Sequence, residues 1–231
     1  MIPVGDDVRS RRFPWVTVLL VVANILIFLH ELGMTPDQLD LFYARWGLVP
    51  SQVTASWSRY GPLAAASWQP LVTAIFLHGS WLHVIGNMIF LWIFGDNVED
   101  LMGHLRFIVF YLLTGVIGNV VQTLFYPHSG IVVIGASGAI AGVLGAYLVK
   151  YPWARVTTVI PLGFFIVPLH IPAVVFLVFW FAVQLLSGAA SLGVEYASGG
   201  VAYWVHVGGF LAGASLVSLF QTERTQPYTR R

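Results

Sequence analysis

Six apolar stretches, each near the length of a bilayer-crossing helix, leave this chain few alternatives to a membrane bundle. A helix that crosses the hydrocarbon core needs about 20 consecutive, mostly apolar residues. The stretches run roughly Trp15 to Leu32, Gln69 to Gly95, Leu105 to Phe125, Ser137 to Tyr151, Ile171 to Ser187 and Tyr203 to Phe220. The surface argument agrees: 9% of the 231 residues are charged and 58% are hydrophobic, against about 25% charged in soluble domains. So few charges cannot cover a water-facing surface. The expectation is an all-α, multi-span membrane protein with the lipid bilayer as its surroundings. Residues 1–14 would form an N-terminal tail, 15–220 one membrane domain and 221–231 a C-terminal tail, with no second soluble domain and no internal repeat.

The segment VTTVIPLGFFIVPLHIP at 156–172 is apolar but broken by proline, which removes a helix donor and clashes with the preceding turn. It is expected as an interfacial loop or short hairpin. A net charge of +1 gives no reason to expect a nucleic-acid partner. The absence of cysteine excludes disulfides, thiolate catalysis and cysteine metal sites. The first apolar run is too long for a signal peptide and lacks a small-residue cleavage site, so it is expected to remain as a span.

Orientation follows from Lys and Arg, which favour the cytoplasmic side. With six spans both tails share one side. That side would hold Arg9, Arg11, Arg12, Arg106, Lys150, Arg155, Arg224, Arg230 and Arg231, and the other only Arg45 and Arg59. Both tails are therefore expected in the cytoplasm, with a bacterial inner membrane as the location. The long outer connection, Gly33 to Trp68, carries Phe42, Tyr43, Trp46, Trp57 and Tyr60 and is expected at interfacial depth. It would serve either as a plug over the bundle or as a surface that meets substrate or deforms the bilayer.

Polar groups inside a membrane need a partner or a purpose. At 1.5 Å per residue from the inner end, Ser137 and His83 each lie roughly 20 Å up, His206 roughly 22 Å and Asn87 roughly 14 Å. Three helices running inward thus bring Ser137, His206, His83 and Asn87 to similar heights. Ser137, Ala141 and Gly145 form one small-residue stripe, and His206, Gly209 and Gly213 another. Contact between those stripes would let the Ser137 hydroxyl reach the His206 ring. His83 and Asn87, four residues apart, share a helix face. Each piece taken singly is more often packing: serine among glycines lets helices approach, and His or Asn bridges spans. Their coincidence in depth, direction and face favours chemistry.

That chemistry would be nucleophilic. A serine hydroxyl needs a base, and neutral imidazole can serve. No Asp or Glu lies in the inner part of the bundle to orient His206, so the expectation is a Ser-His dyad and not a triad. The oxyanion would meet the unpaired Ser137 N–H at its helix start, with Asn87 and His83 as side-chain donors. The short fourth helix would leave a gap above Ser137 for water.

With G-A-S-G at 135–138, H-G-S-W-L-H-V-I-G-N at 78–87, H-V-G-G-F-L-A-G at 206–213 and W-G-L-V-P at 46–50, the chain resembles the rhomboid intramembrane serine proteases from roughly Trp15 to Phe220. The resemblance implies a six-transmembrane-helix rhomboid-like bundle with a large first outer loop. It implies cleavage of transmembrane segments of substrate membrane proteins, with no cofactor and no metal. Ser137 would match the nucleophile, His206 the base, and His83 and Asn87 the oxyanion-stabilising pair. Gly135 would match the first motif glycine, and Gly209 and Gly213 the packing glycines. His78 matches a further second-helix histidine without a clear role. Many relatives carry a large aromatic four residues after the serine, stacked on the histidine. This chain has Ala141 there, so either another ring such as Tyr203 or Trp204 takes its place or His206 is held less firmly. The outer loop offers Arg45-Trp46 and Trp57-Ser58-Arg59 in place of the family's Trp-Arg pair.

Two other classes compete. A catalytically silent rhomboid-like protein would bind transmembrane helices for quality control or trafficking, but such proteins usually lose the serine or the histidine. A transporter or channel would show related halves or midplane acids. Asn24, Gln122 and Gln184 are expected to be interhelix hydrogen-bond partners. The stretch Leu186 to Gly200, rich in Gly, Ser and Ala, is expected to act as a mobile cap.

Overall fold

In the computed structural model, which describes residues 2–62, 64–162, 165–192 and 200–222, the apolar stretches become helices whose ends fall where capping and proline chemistry place them. Helix α1 spans Trp15–Leu32, α6 His104–Phe125, α8 Ala173–Ala190 and α9 Tyr203–Phe220, and all four are long and apolar enough to cross a bilayer. Helix α7, Ser137–Lys150, is shorter, at 14 residues. It covers about 21 Å of a core about 30 Å thick, so it cannot cross alone. The protein is a multi-pass integral membrane protein built as an all-α bundle, with a small sheet at one end.

The second apolar stretch is not one helix, contrary to the expectation for Gln69 to Gly95. It forms α4, Ala65–Thr73, a 3₁₀ turn at Ala74–Phe76, and α5, Trp81–Met102. The chain bends by 88° between the two helices. Leu77 is extended, and Ser80 restarts the helix by accepting the His83 N–H at 3.2 Å. Apolar composition cannot register such a break, because hydropathy is summed without regard to direction. Helix α5 also continues past Gly95 to Met102.

The outer connection holds two amphipathic helices, α2 at Pro36–Trp46 and α3 at Pro50–Tyr60. Thr35 and Gln38 close a capping box on α2, and proline opens both helices, where its missing N–H costs nothing. Between them, Leu48 pairs with Val133 through two backbone hydrogen bonds of 3.0 and 2.7 Å. The W-G-L-V-P segment thereby anchors the strand-like run that leads into G-A-S-G.

The proline-broken segment is a hairpin, one of the two expected forms: β2 at Arg155–Leu162 pairs antiparallel with β3 at Phe165–Pro172. Residues of the expected N-terminal tail add a third strand, β1 at Ile2–Asp6, on the far side of β2. Tail residues 223–231, with Arg224, Arg230 and Arg231, lie outside the described residues, as do positions 193–199 of the expected cap. The two described ends lie together: the Thr222 N–H donates to Leu101 O at 3.1 Å, and the Tyr147 hydroxyl donates to Asp6 at 2.6 Å.

The core surrounds α7. Its residues Gly138 to Tyr147 are buried, enclosed by α5, α6 and α9. The helices meet backbone to backbone. A Cβ on Gly209 would overlap the Gly138 carbonyl oxygen, and one on Gly213 the Gly142 carbonyl oxygen. The contacting stripe on α7 is therefore Gly138, Gly142 and Gly145, one position on from the expected Ser137, Ala141 and Gly145. Gly145 keeps its place, against Phe210 and Ala214. Two buried carboxylates lie at opposite ends of the bundle. Glu99 accepts the backbone N–H groups of Val16 and Thr17, capping the start of α1, while Glu31 accepts the His78 N–H at 3.3 Å.

Candidate active site

Ser137 opens α7, so its N–H has no acceptor one turn back within the helix. The motif's first glycine sets the approach. Gly135 has φ +127°, a conformation that side chains disfavour, and a Cβ there would sit 2.6 Å from His83 Nε2. The Gly135 N–H donates to Ala74 O at 2.9 Å, tying the loop to the 3₁₀ turn before α5. The sharp entry and the absent side chain together leave Ser137 half-buried at the head of the central helix.

His206 lies one turn into α9 and is 9% exposed. Its Nε2 is 2.8 Å from Ser137 Oγ, so the expected pair is assembled. The glycine contacts make this reach possible: Gly138 is next to Ser137, and its partner Gly209 is three residues after His206. Close backbone approach at that crossing brings two short side chains within hydrogen-bond range.

The other ring nitrogen of His206, Nδ1, is 2.8 Å from Gln184 Oε1 on α8. Sequence reasoning treated Gln184 only as one of three span-bridging amides. Among them, Asn24 instead bonds back to Leu20 O within α1, and Gln122 Oε1 has no partner among the described residues. A polar residue whose height matched His206 was the available signal. The ring beside His206 is also on α8, and it is neither Tyr203 nor Trp204, the two expected in place of an aromatic at Ala141. Trp180 lies 5.8 Å from the His206 ring at 38°. Trp204 is stacked on Phe125 at 3.6 Å instead, and Tyr203 packs at Gly188. Ala141 itself is fully buried.

His83 and Asn87 do share a face of α5 and border the Gly135 turn: the nearest atoms to a Cβ at Gly135 belong to His83 and then Asn87. Asn87 Nδ2 is 2.9 Å from His78 Nε2, leaving its second amide hydrogen free of that bond. His78 is clamped in turn. Its N–H reaches Glu31, and its carbonyl accepts the Tyr43 hydroxyl at 3.1 Å. The histidine without an assigned role thus fixes the Asn87 amide from the bend between α4 and α5. Neither Glu31 nor Glu99 bonds His206, whose second ring nitrogen meets Gln184. No group of three or more His, Cys, Asp or Glu side chains among the described residues could hold a metal.

Comparison with known proteins places this geometry. The family model "Rhomboid domain" matches residues 65–222, more than half of the chain, a range that holds every residue of the site. The chain is 39% identical to "Rhomboid-like protein 11, chloroplastic" of Arabidopsis thaliana over 104 residues, 44% of this chain and 37% of that one. It is 30% identical to "RHOMBOID-like protein 6, mitochondrial" of the same plant over 157 residues, 58% and 50% of the two chains. It is 40% identical to "Rhomboid protease GluP" of Bacillus subtilis (strain 168) over 86 residues, 37% and 16%. The matches span half or less of the length of these relatives. With the family's motifs on one assembled site and its domain model across them, the chain belongs to the rhomboid family.

Proposed function

We propose that this protein is an intramembrane serine endopeptidase that cleaves transmembrane segments of other membrane proteins. The observation that carries the reading is the 2.8 Å contact between Ser137 Oγ and His206 Nε2. In a silent relative nothing would maintain that pair, because a buried polar pair contributes little net stability over an apolar one.

The steps follow from the groups present. Ser137 Oγ attacks the substrate carbonyl carbon as its proton passes to His206 Nε2. The oxyanion that forms is met by the Ser137 N–H, the free amide hydrogen of Asn87 and the His83 ring. The carbon–nitrogen bond breaks, and His206 returns the proton to the leaving amine. Water then enters, gives a proton to His206 and hydrolyses the acyl ester, restoring Ser137. A closed substrate helix hides its carbonyls, so the substrate must unwind locally before attack. A segment of low helical stability with a small residue before the cut suits this site. The Lys and Arg distribution supports an orientation with both tails in the cytoplasm, and α7 then opens its Ser137 end toward the outside; the proposed location is a bacterial inner membrane.

The test needs no known substrate. Purified full-length protein in detergent is treated with a fluorophosphonate probe, and the adduct is mapped by mass spectrometry. Labelling at Ser137 that is lost in Ser137→Ala and His206→Ala is expected. Absence of labelling in the folded wild type, beside a related active protease that does label, would refute the proposal.

A further inference from the structure

The site holds one more polar group than the dyad requires. Gln184 Oε1 lies 2.8 Å from His206 Nδ1, on the side of the ring opposite Ser137. We infer that Gln184 is a positioning residue that fixes the tautomer and orientation of His206, so that Ser137, His206 and Gln184 act as one hydrogen-bonded set. This rests on the protease reading above.

A neutral imidazole has one N–H and one bare nitrogen, and only the bare nitrogen can take a proton from Ser137. With the Gln184 carbonyl accepting from Nδ1–H, the bare nitrogen is Nε2, which faces the hydroxyl. Without that acceptor, the ring is free to place its hydrogen on Nε2, where it would donate to Ser137 Oγ and block attack. As the proton moves from Ser137 Oγ to Nε2, the imidazolium donates from both nitrogens, and Gln184 Oε1 still accepts from Nδ1. The same carbonyl therefore serves before and after transfer, and no additional co-reactant enters.

Gln184 is held where the role needs it. Trp180, four residues earlier on α8, lies along the His206 ring at 5.8 Å and against Phe210 at 6.0 Å. Phe181 stacks on Phe210 at 4.6 Å. Gly188, one turn after Gln184, lets α8 pack at Tyr203 and Trp204. These contacts join α8 to α9 on both sides of Gln184. The outer face of α8 is open: Val178, Phe179, Val183, Leu185 and Leu186 are exposed. An amide on a helix facing lipid needs a partner, since leaving it unpaired there is costly. His206 is that partner, and Gln184 thereby fills the orienting position that no carboxylate among the described residues takes.

The experiment uses full-length protein labelled with nitrogen-15 at histidine, in detergent micelles, with the His206 signal assigned by its loss in His206→Ala. The ring-nitrogen shifts report which nitrogen carries hydrogen. Labelling of Ser137 by a fluorophosphonate gives kinact and KI for wild type, Gln184→Leu and Gln184→Glu. The expected result is Nδ1–H in the wild type and loss of that preference in Gln184→Leu. The kinact of Gln184→Leu should fall on the order of tenfold, the worth of about one net hydrogen bond, with KI unchanged. Gln184→Glu keeps an acceptor at the same place and should restore most of the rate. Hydrogen on Nε2 in the wild type, unchanged kinact in Gln184→Leu, or Gln184→Glu as slow as Gln184→Leu would overturn the proposal. A wild type with Nδ1–H that does not label at all would refute the protease reading and leave the orientation by Gln184 standing.

Discussion

Adding one methyl group at Gly209 should disable the site from outside it. The α7–α9 crossing has no room there. A Cβ on Gly209 would lie 2.9 Å from the Gly138 carbonyl carbon, and closer still to its oxygen. Ordinary contact at such atoms begins near 3.4 Å. The opposing atoms are backbone on the buried stretch of α7, so no flexible side chain can yield, and the two axes must part by about 1 Å. Gly138 follows Ser137 directly and Gly209 is three residues from His206, so the same displacement reaches the dyad. A Ser137–His206 contact that starts at 2.8 Å is then stretched past the limit of a useful hydrogen bond, about 3.5 Å. A misplacement of that size costs on the order of 100-fold in rate. The overpacking itself costs about 1–3 kcal/mol of stability. Gly209→Ala should therefore stay helical by circular dichroism, melt earlier, and label with a fluorophosphonate about 100 times more slowly. Gly86→Ala on α5 is the control: its Cβ meets nothing within 4 Å, so its labelling rate should match the wild type. Gly209→Ala labelling at the wild-type rate would show that the glycine crossing does not set the dyad distance.

Further outcomes can be checked on the same material. Asn87→Ala should slow labelling on the order of 100-fold through loss of an oxyanion donor, measured as kinact with folding verified by melting. Glu99→Ala leaves the N–H groups of Val16 and Thr17 without their acceptor. It should cost about 2–5 kcal/mol of stability, seen as a lowered melting temperature. Asp6 lies in β1, where burial, and secondarily the nearby Asp96 and Asp7 charges, push its carboxyl from 3.8 up to about 7 against the opposing Tyr147 and Val8 hydrogen bonds. Between those values the folded state keeps a proton that the unfolded chain has released, so stability present below pH 4 is lost as pH rises to 7. The melting temperature should fall across that window and then level off, and Asp6→Asn should remove this part of the slope.

The bundle, four of its spans and the short central helix were legible because burial in lipid acts on local composition, which a linear reading sums directly. The Ser137–His206 contact was legible for a related reason. Helical rise converts sequence separation into depth, and Ser137 and His206 came out at matching heights. The bend between α4 and α5 was not legible, because an extended Leu77 followed by a Ser80 cap leaves the hydropathy of the stretch unchanged. Nor was the third strand, since β1 forms by pairing with a hairpin some 150 residues away.

What the sequence determined by itself is therefore the solvent, the set of helices and the residue types at one depth. Tertiary structure decided which faces meet. Periodicity reports where a side chain points around its own helix axis, but not how a neighbouring helix is rotated, and that rotation moved the contact stripe from Ala141 to Gly138 and Gly142. The same freedom made Trp180 the ring beside His206, placed Gln184 at its second nitrogen, and put His78 behind Asn87. A hydrogen bond to an imidazole depends on a few tenths of an ångström, a distance fixed only once all the helices around α7 are packed.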